Sequence, residues 1–399
     1  MRRAAAGLLC ALVLAGCGGS KGHTATIVVD VPLTRDPYIG NTISNGVKLA
    51  AQGIGTEHGD IVNFKVVTYD NAGSPSQAVA DYRRAVAEHA VAIVTDGTGV
   101  DAGWSIANQA HIPIGIVYDG DEHLVDPKTR PNVFRIAPTN HGMAFRFAEY
   151  LVPKHLKIAL LTDDTGYGRA GLTSLNHAFS FTPRAVVSRV QAPSSATDLA
   201  PQVVQARRSG ATALLVWGQP ATIAEAVVAA RSAGWNVPIY TPPAGEDPLV
   251  RQELANRPQW LNGLTFATGR LTAEAGLGPF YGFQSDYQDA FGIDKVGVKN
   301  ASGRTVIQPP EFAMYAFDFI NVLAAAVDDA HSTDGVKVLR SLNQVNAKGA
   351  NGDNRGFNEA SHEGVVDDDV YFARFQDMTF RPVKDDALSR TLPAIVQFP

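Results

Sequence analysis

Cysteine is almost missing from this chain: 399 residues contain two, Cys10 and Cys17. Cys10 lies inside an apolar leader, so the mature chain can form neither an internal disulfide nor a thiolate metal site. No basic run occurs, and the formal net charge is −5, which argues against a nucleic-acid partner. Beyond the leader no apolar stretch is long enough to cross a bilayer as a helix. The motifs His-Glu-x-x-His and Ser-x-x-Lys are absent, Gly-x-Ser-x-Gly occurs only at Gly18–Gly22 next to the leader and away from any strand-to-helix turn, and the ten histidines are scattered without the spacing of a metal pair on a helix. These absences weigh against the familiar hydrolases and metalloenzymes. No metal and no cofactor are expected.

The leader itself is informative. Arg2 and Arg3 precede an apolar run, Ala4–Ala15, which is too short to span a bilayer, and small residues follow. Leu14-Ala15-Gly16-Cys17 resembles the bacterial lipoprotein box, in which the cysteine is lipidated and becomes the mature N-terminus. Residues 1–17 are therefore read as signal and lipobox, with Cys17 the lipidation site. Residues 18–24 are small and polar and suit a flexible tether. The expected location is the extracytoplasmic face of the cell membrane, held there by lipid.

After the tether the chain alternates strand and helix. Ala25–Val31 reads as a buried strand, Asn41–Gly53 as a helix and Ile61–Tyr69 as a second strand. Ser74-Pro75-Ser76-Gln77 places a hydroxyl cap, a proline at the first helical position and a glutamine at the third, a capping-box start. That helix is read to about His89, with Ala78, Val79, Tyr82 and Val86 inward. The stretch Ala90–Trp104, AVAIVTDGTGVDAGW, then joins a wholly apolar strand to a glycine-rich loop and a helix start. A loop at the carboxyl end of a buried parallel strand is where ligands sit in open α/β sheets. It fits a nucleotide cradle or one wall of a small-molecule cleft.

Alternation resumes from Lys157 to Ala267 with the same rhythm. Two α/β units of this kind, in a chain long enough for two domains, predict a pair of doubly wound, Rossmann-like lobes around a cleft. After Thr268 the pattern turns helical, with Glu311–His331 the clearest element. Phe312, Tyr315, Ala316, Phe319, Ile320, Leu323, Ala324 and Val327 form its inward stripe.

Three motifs now carry a family resemblance. Tyr69-Asp70-Asn71 with Ser74-Pro75-Ser76-Gln77-Ala78-Val79, Leu161-Thr162-Asp163-Asp164 with Tyr167-Gly168, and Ala229-Ala230-Arg231-Ser232-Ala233-Gly234 follow in order. They resemble the branched-chain amino-acid type of solute-binding lipoprotein that serves ABC transporters. The resemblance implies a type I periplasmic-binding fold with a three-strand hinge, the crossings falling near Ile136–Asn140, Thr265–Arg270 and Arg355–Asn358. It places lobe 1 at 25–138 plus 271–355 and lobe 2 at 139–270 plus 356–399. It implies a monomeric, non-enzymatic receptor that closes on a small polar solute and hands it to a membrane permease. Carried over position by position, the ligand contacts are Tyr38 or Ile39, Asp96, Gly97, Thr98, Gly99, Tyr118, Asp119, Gly120, Tyr167, Gln219 and the turn Pro243–Glu246.

The chain departs from that family's pattern at Gly99 and Gly120, where amino-acid binders offer hydroxyls to a carboxylate. Asp96, Asp101, Asp119 and Asp121 crowd the same loops, so an amine, amide or polyhydroxyl suits them better. Asp101 and Asp121 also read as helix caps. Three rival readings are weaker. Gly97-x-Gly99-x-x-x-Gly103 is one residue too long for a dinucleotide fingerprint. Asp163-Asp164 and Asp367-Asp368-Asp369 lack the rest of a calcium loop. A sensor signalling to a membrane receptor would use the same cleft as a transporter.

Overall fold

The computed structural model describes residues 23–57, 62–269, 278–292, 297–299, 305–307 and 311–391. The leader, Cys17, the tether as far as Gly22 and Arg270 lie outside them. The first half comprises β1 (His23–Val31), α1 (Pro37–Glu57), β2 (Val62–Asp70), α2 (Pro75–Ala87), β3 (Ala92–Thr95), α3 (Val100–Gln109), β4 (Ile114–Ile116) and β5 (Val133–Arg135). Its strands form one sheet in the order β2-β1-β3-β4-β5, every pair parallel. Along β1, Ile27, Val29 and Val31 enter one apolar cluster while Val28 enters another on the opposite face. A strand buried on both faces has to read as continuously apolar, and this one does.

The second half runs α4 (Asn140–Leu151), β6 (Ile158–Asp163), α5 (Gly166–Ala178), β7 (Val186–Ala192), α6 (Ala200–Arg208) and β8 (Ala213–Trp217). It continues through α7 (Pro220–Ser232), β9 (Ile239–Thr241), α8 (Pro248–Glu253) and β10 (Thr265–Thr268). Then come α9 (Gly278–Phe291), β11 (Gly297–Lys299), β12 (Thr305–Ile307), α10 (Glu311–Ala330) and α11 (Gly335–Leu342). The last are β13 (Asn346–Lys348), β14 (Asn354–Gly356), β15 (Tyr371–Gln376) and β16 (Thr379–Pro382). The second sheet is ordered β16-β15-β10-β9-β8-β6-β7, with β15 and β16 added antiparallel at one edge. Without those two strands it repeats the winding of the first: second strand, first, third, fourth, fifth. Each sheet therefore has its switch point between its first and third strands, and the loops there frame a crevice.

Local chemistry explains where the elements begin. Ser74 caps α2, its Oγ accepting the Gln77 N–H at 3.4 Å. The box is only half formed, because the Gln77 amide donates to Asp81 at 3.1 and 3.2 Å instead. The inward face of α2 is accordingly Ala78, Asp81, Tyr82 and Ala85, turned from the expected Val79 and Val86. Helix α1 begins at Pro37, four residues before the expected Asn41, because Asp36 Oδ1 accepts the Ile39 N–H at 3.1 Å. A proline costs nothing at the first helical position, where its missing N–H has no partner to lose.

The α10 stripe widens to nearly the whole helix, since Ala313, Met314, Asp318, Val322 and Ala326 are buried as well, while Ala324 is only half-buried. One face lies on α1 over the first sheet; Ala313 and Met314 join the core of the second. A helix covered from both sides is apolar all round. Its approach to α1 is close: a Cβ at Gly46 would lie 2.2 Å from the Ala313 carbonyl oxygen.

The first sheet's last strand ends at Arg135 and α4 begins at Asn140, while β10 ends at Thr268. The third passage falls later than Arg355–Asn358. Residues 362–364 still run beside β5, with the Arg135 N–H donating to the His362 carbonyl at 2.9 Å and the Gly364 N–H to the Arg135 carbonyl at 2.7 Å. Gly46→Ala should separate α1 from α10 and lower stability by about 1–3 kcal/mol, measured as a fall in Tm.

Candidate functional site

The loop after β3 is built by its own side chains. Asp96 is 8 % exposed; its Oδ1 accepts the Asn71 amide at 2.9 Å and its Oδ2 accepts the Thr98 hydroxyl at 2.6 Å. Thr98 thus spends its proton inside the loop. Burial raises the Asp96 pKa against these hydrogen bonds. Gly97 has φ of +116°, and a Cβ there would lie 2.4 Å from the Asp119 Cβ, so the loops after β3 and β4 touch back to back. Gly99 caps α3 through its backbone alone.

On the next loop the Asp119 Oδ1 accepts the Asp121 N–H at 2.9 Å, and burial pushes the Asp119 pKa up to about 6. Asp121 accepts the His123 N–H at 3.3 Å and caps a short helical turn, one of the two readings the sequence offered. Asp101 is exposed in the first turn of α3 and pairs with Arg130 at 2.6 Å. Gly120 faces the first passage rather than the loop's open side. A Cβ there would stand 2.6 Å from the Pro138 carbonyl oxygen, and the Gly120 carbonyl accepts the Asn140 N–H at 2.8 Å.

Aromatic rings join the two halves. Tyr118, after β4, lies 5.7 Å from Tyr167 on α5 and 4.9 Å from Phe312 at the start of α10. Tyr167 continues to Trp217, the end of β8, at 6.1 Å. Thr165 caps α5, its hydroxyl accepting the Gly168 N–H at 3.0 Å, and this sets Tyr167 one residue inside the first turn. Burial raises the pKa of Tyr118 and of Tyr167, with Asp119 adding to both.

The second switch point is tied by Asp163, which is fully buried. Its Oδ1 accepts the Thr165 hydroxyl at 2.5 Å, and its Oδ2 accepts the Gln219 N–H at 2.6 Å. Gln219 is therefore held by its backbone as the cap residue of α7. Glu246 is 2 % exposed, and its Oε1 accepts the Glu311 N–H at 2.8 Å, so it caps α10. The Glu311 carboxylate in turn accepts from the Gly269 N–H and the Tyr315 hydroxyl. Tyr38, the second residue of α1, sits within electrostatic range of Glu246, Asp247 and Arg251.

Tyr38, Tyr118, Asp119, Tyr167 and Glu246 thus form one neighbourhood across the two halves. Asp96, Gly97, Thr98 and Gly99 make the wall behind it, Gly120 belongs to the passage, and the Gln219 backbone is tied to Asp163. Three residues were not foreseen. Asp36 and Asp247 each precede a proline and cap a helix, and Asp36 adds to the negative charge around Asp247; the repeated Asp-Pro was the available signal. Arg135 is fully buried on β5, and its signal was a charge inside an apolar strand. Among the described residues no group of three or more histidine, cysteine, aspartate or glutamate side chains is arranged to hold a metal ion.

Two sheets of the same winding, joined by three passages and meeting through their carboxyl-end loops, define a two-lobed binding protein. The chain belongs to the periplasmic binding protein family, whose model matches residues 35–379. A type 1 periplasmic binding protein from Bordetella pertussis Tohama I superposes with a TM-score of 0.78 at 19 % identity, covering 90 % of this chain and all of its own, 100 %. The leucine-binding protein LivK of Thermotoga maritima gives 0.75 at 19 % identity over 90 % of this chain and 97 % of that one. A solute-binding protein of an ABC transporter from Rhodopseudomonas palustris BisB5, solved with 3,4-dihydroxybenzoic acid, gives 0.73 at 17 % identity over 88 % and 93 %. No curated protein matches the chain. The type I periplasmic-binding fold is thereby shown, and the family is one of binding proteins.

Asp30 supplies a pH test of the wall behind the site. It is fully buried at the end of β1, facing Asp81, Asp96 and Asn71, and burial pushes its pKa up to about 8. The unfolded carboxyl has a pKa of about 3.9, so the folded chain binds more protons in between and stability falls as pH rises. Asp119 and Asp318, each raised to about 6, act only in the lower part of that window. Thermal denaturation should show Asp30→Asn flattening the fall between about 6 and about 8.

Proposed function

We propose that this protein is an extracytoplasmic receptor for a small polar solute, an amino acid, amide or related amine, which it delivers to an ABC permease. One lobe is built on the first sheet and the other on the second, the third passage being taken by residues 365–370. The observation that carries the reading is the meeting of Tyr118 with Tyr167 across the lobes at 5.7 Å. Rings in contact admit a solute only when the lobes part, and closing them again buries it. Tyr167 would give a ring face and a hydroxyl, and the Gln219 side chain an amide that both donates and accepts. No step of catalysis is assigned to these groups. A lipid on Cys17 would keep the receptor beside its permease as a monomer.

Two measurements test this. Thermal shift against amino acids, amines, amides, sugars and nucleosides should give saturable stabilisation by one class. Tyr167→Ala should weaken that solute by roughly tenfold or more, about 1.4 kcal/mol. An unchanged affinity would place the solute elsewhere. Cys17→Ser should move the protein from the membrane fraction to the soluble one on cell fractionation.

A further inference from the structure

Two helix-capping aspartates, one from each half of the fold, lie within electrostatic range of one another. Asp36 caps α1 through Oδ1, and Asp247 caps α8 through Oδ1, accepting the Leu249 N–H at 2.7 Å. Asp247 is 1 % exposed, and its second oxygen, Oδ2, is buried without a hydrogen-bond partner in the protein. Two hydroxyls from the first lobe are in the same condition: Tyr38 Oη and Tyr118 Oη are buried and unpartnered. Asp36 and Asp247 both act on Tyr118, and Asp247 acts on Tyr38, so the four groups share one neighbourhood. The Tyr167 and Phe312 rings stand beside Tyr118, at 5.7 and 4.9 Å.

Resting on the receptor reading, we propose that the group recognised in this cleft is a cation, a protonated or alkylated amine. Asp247 Oδ2 and the Asp36 carboxylate are its counter-charges, and the Tyr38 and Tyr118 side chains surround it. A buried carboxylate oxygen without a partner is costly, and a charged donor is the partner that relieves most of that cost. Ring faces add attraction for an ammonium and none for a carboxylate. An anionic ligand would meet Asp36, Asp119, Glu246 and Asp247 in a site shielded from water. Arg251 is the neighbouring cation; it donates to the Glu246 carbonyl at 3.2 Å and lies over the Phe375 ring at 5.9 Å.

The same groups set the pH dependence. Asp247 is held above the usual carboxylate range by burial first, then by Asp36 and Glu246, against Arg251 and the Leu249 N–H. Asp36 is raised by burial too, against Arg35 and the Ile39 N–H. A cation must displace the proton that these carboxyls hold, so its affinity should rise with pH.

The test uses the full-length protein in detergent with four probes of similar size: tetramethylammonium, isobutylamine, isobutyramide and isobutyrate. Calorimetry should show at least one of the two amines binding, tighter at about pH 8 than at about pH 5. Asp247→Asn, which retains the Oδ1 cap, should weaken that amine by roughly tenfold or more at an unchanged melting temperature. Binding of isobutyrate or isobutyramide with no response to either amine overturns the cation assignment and leaves the receptor reading in place. No response to any probe also overturns it, and the wider solute screen then decides the receptor reading separately. An amine whose affinity is indifferent to both pH and Asp247→Asn overturns it as well.

Discussion

Arg135 is the constraint on which the closed arrangement depends. Its side chain is fully buried, donating from Nε and Nη2 to the two oxygens of Glu363 at 2.8 and 2.7 Å. Nη1 donates to the carbonyls of Asp119 and Asp121 at 2.9 and 2.8 Å. One guanidinium therefore holds the end of β5, the loop that carries Tyr118 and the chain returning toward β15. A buried ion pair is a weak source of net stability, because desolvation offsets most of the attraction. What it supplies here is position: five donors in a rigid fork leave the loop after β4 one place to sit. The backbone pairing of Arg135 with His362 and Gly364 fastens the same junction a second time.

From that anchor the cleft follows. The loop after β4 is pressed against the loop after β3 at Gly97 and against the first passage at Gly120, so its free side chains point toward the other lobe. There Tyr118 meets Tyr167, while Glu246 and Glu311 join the turn after β9 to the start of α10. A second buried cluster supports the return of the chain: Arg355 pairs with Asp318 at 3.2 Å and with Asp369 at 3.2 Å, which links α10 to the segment leading into β15. Both buried arginines lie where the chain changes lobes.

Much of this was legible in the sequence, for a physical reason. Parallel strands buried on both faces leave uninterrupted apolar runs, so β1 was readable within two residues. Their alternation with capped helices gave the winding. The site was legible only as far as loops at strand ends. Thr98 reads as a free hydroxyl until the fold brings Asp96 within 2.6 Å of it. Glu246 reads as a ligand group until α10, 65 residues later, presents its first N–H to it. Asp36 and Asp247 are separated by most of the chain, and nothing local announces that two helix caps will share one space. The later position of the third passage was hidden for the same reason, since residues 362–364 carry no strand pattern and are held by β5.

The glycine-rich loop shows how much the context decides. A phosphate cradle needs backbone N–H groups open to a ligand and a helix start free of carboxylates. Here the Gly97 N–H donates to Thr95 Oγ1 at 3.1 Å, and the Thr98 N–H is turned to Asp96. Asp119 fills the space beside Gly97. The loop's donors are spent inward, and what it offers outward is the firm back of a wall. On the open side the unpartnered groups are Tyr38 Oη, Tyr118 Oη and Asp247 Oδ2, which closure removes from bulk water. Each such group costs about 1–3 kcal/mol when buried unmade, so closing the lobes is uphill until something arrives that can pair with them. In the proposed receptor, closure and binding would be one event, because only a ligand that satisfies these groups has a differential affinity for the closed state.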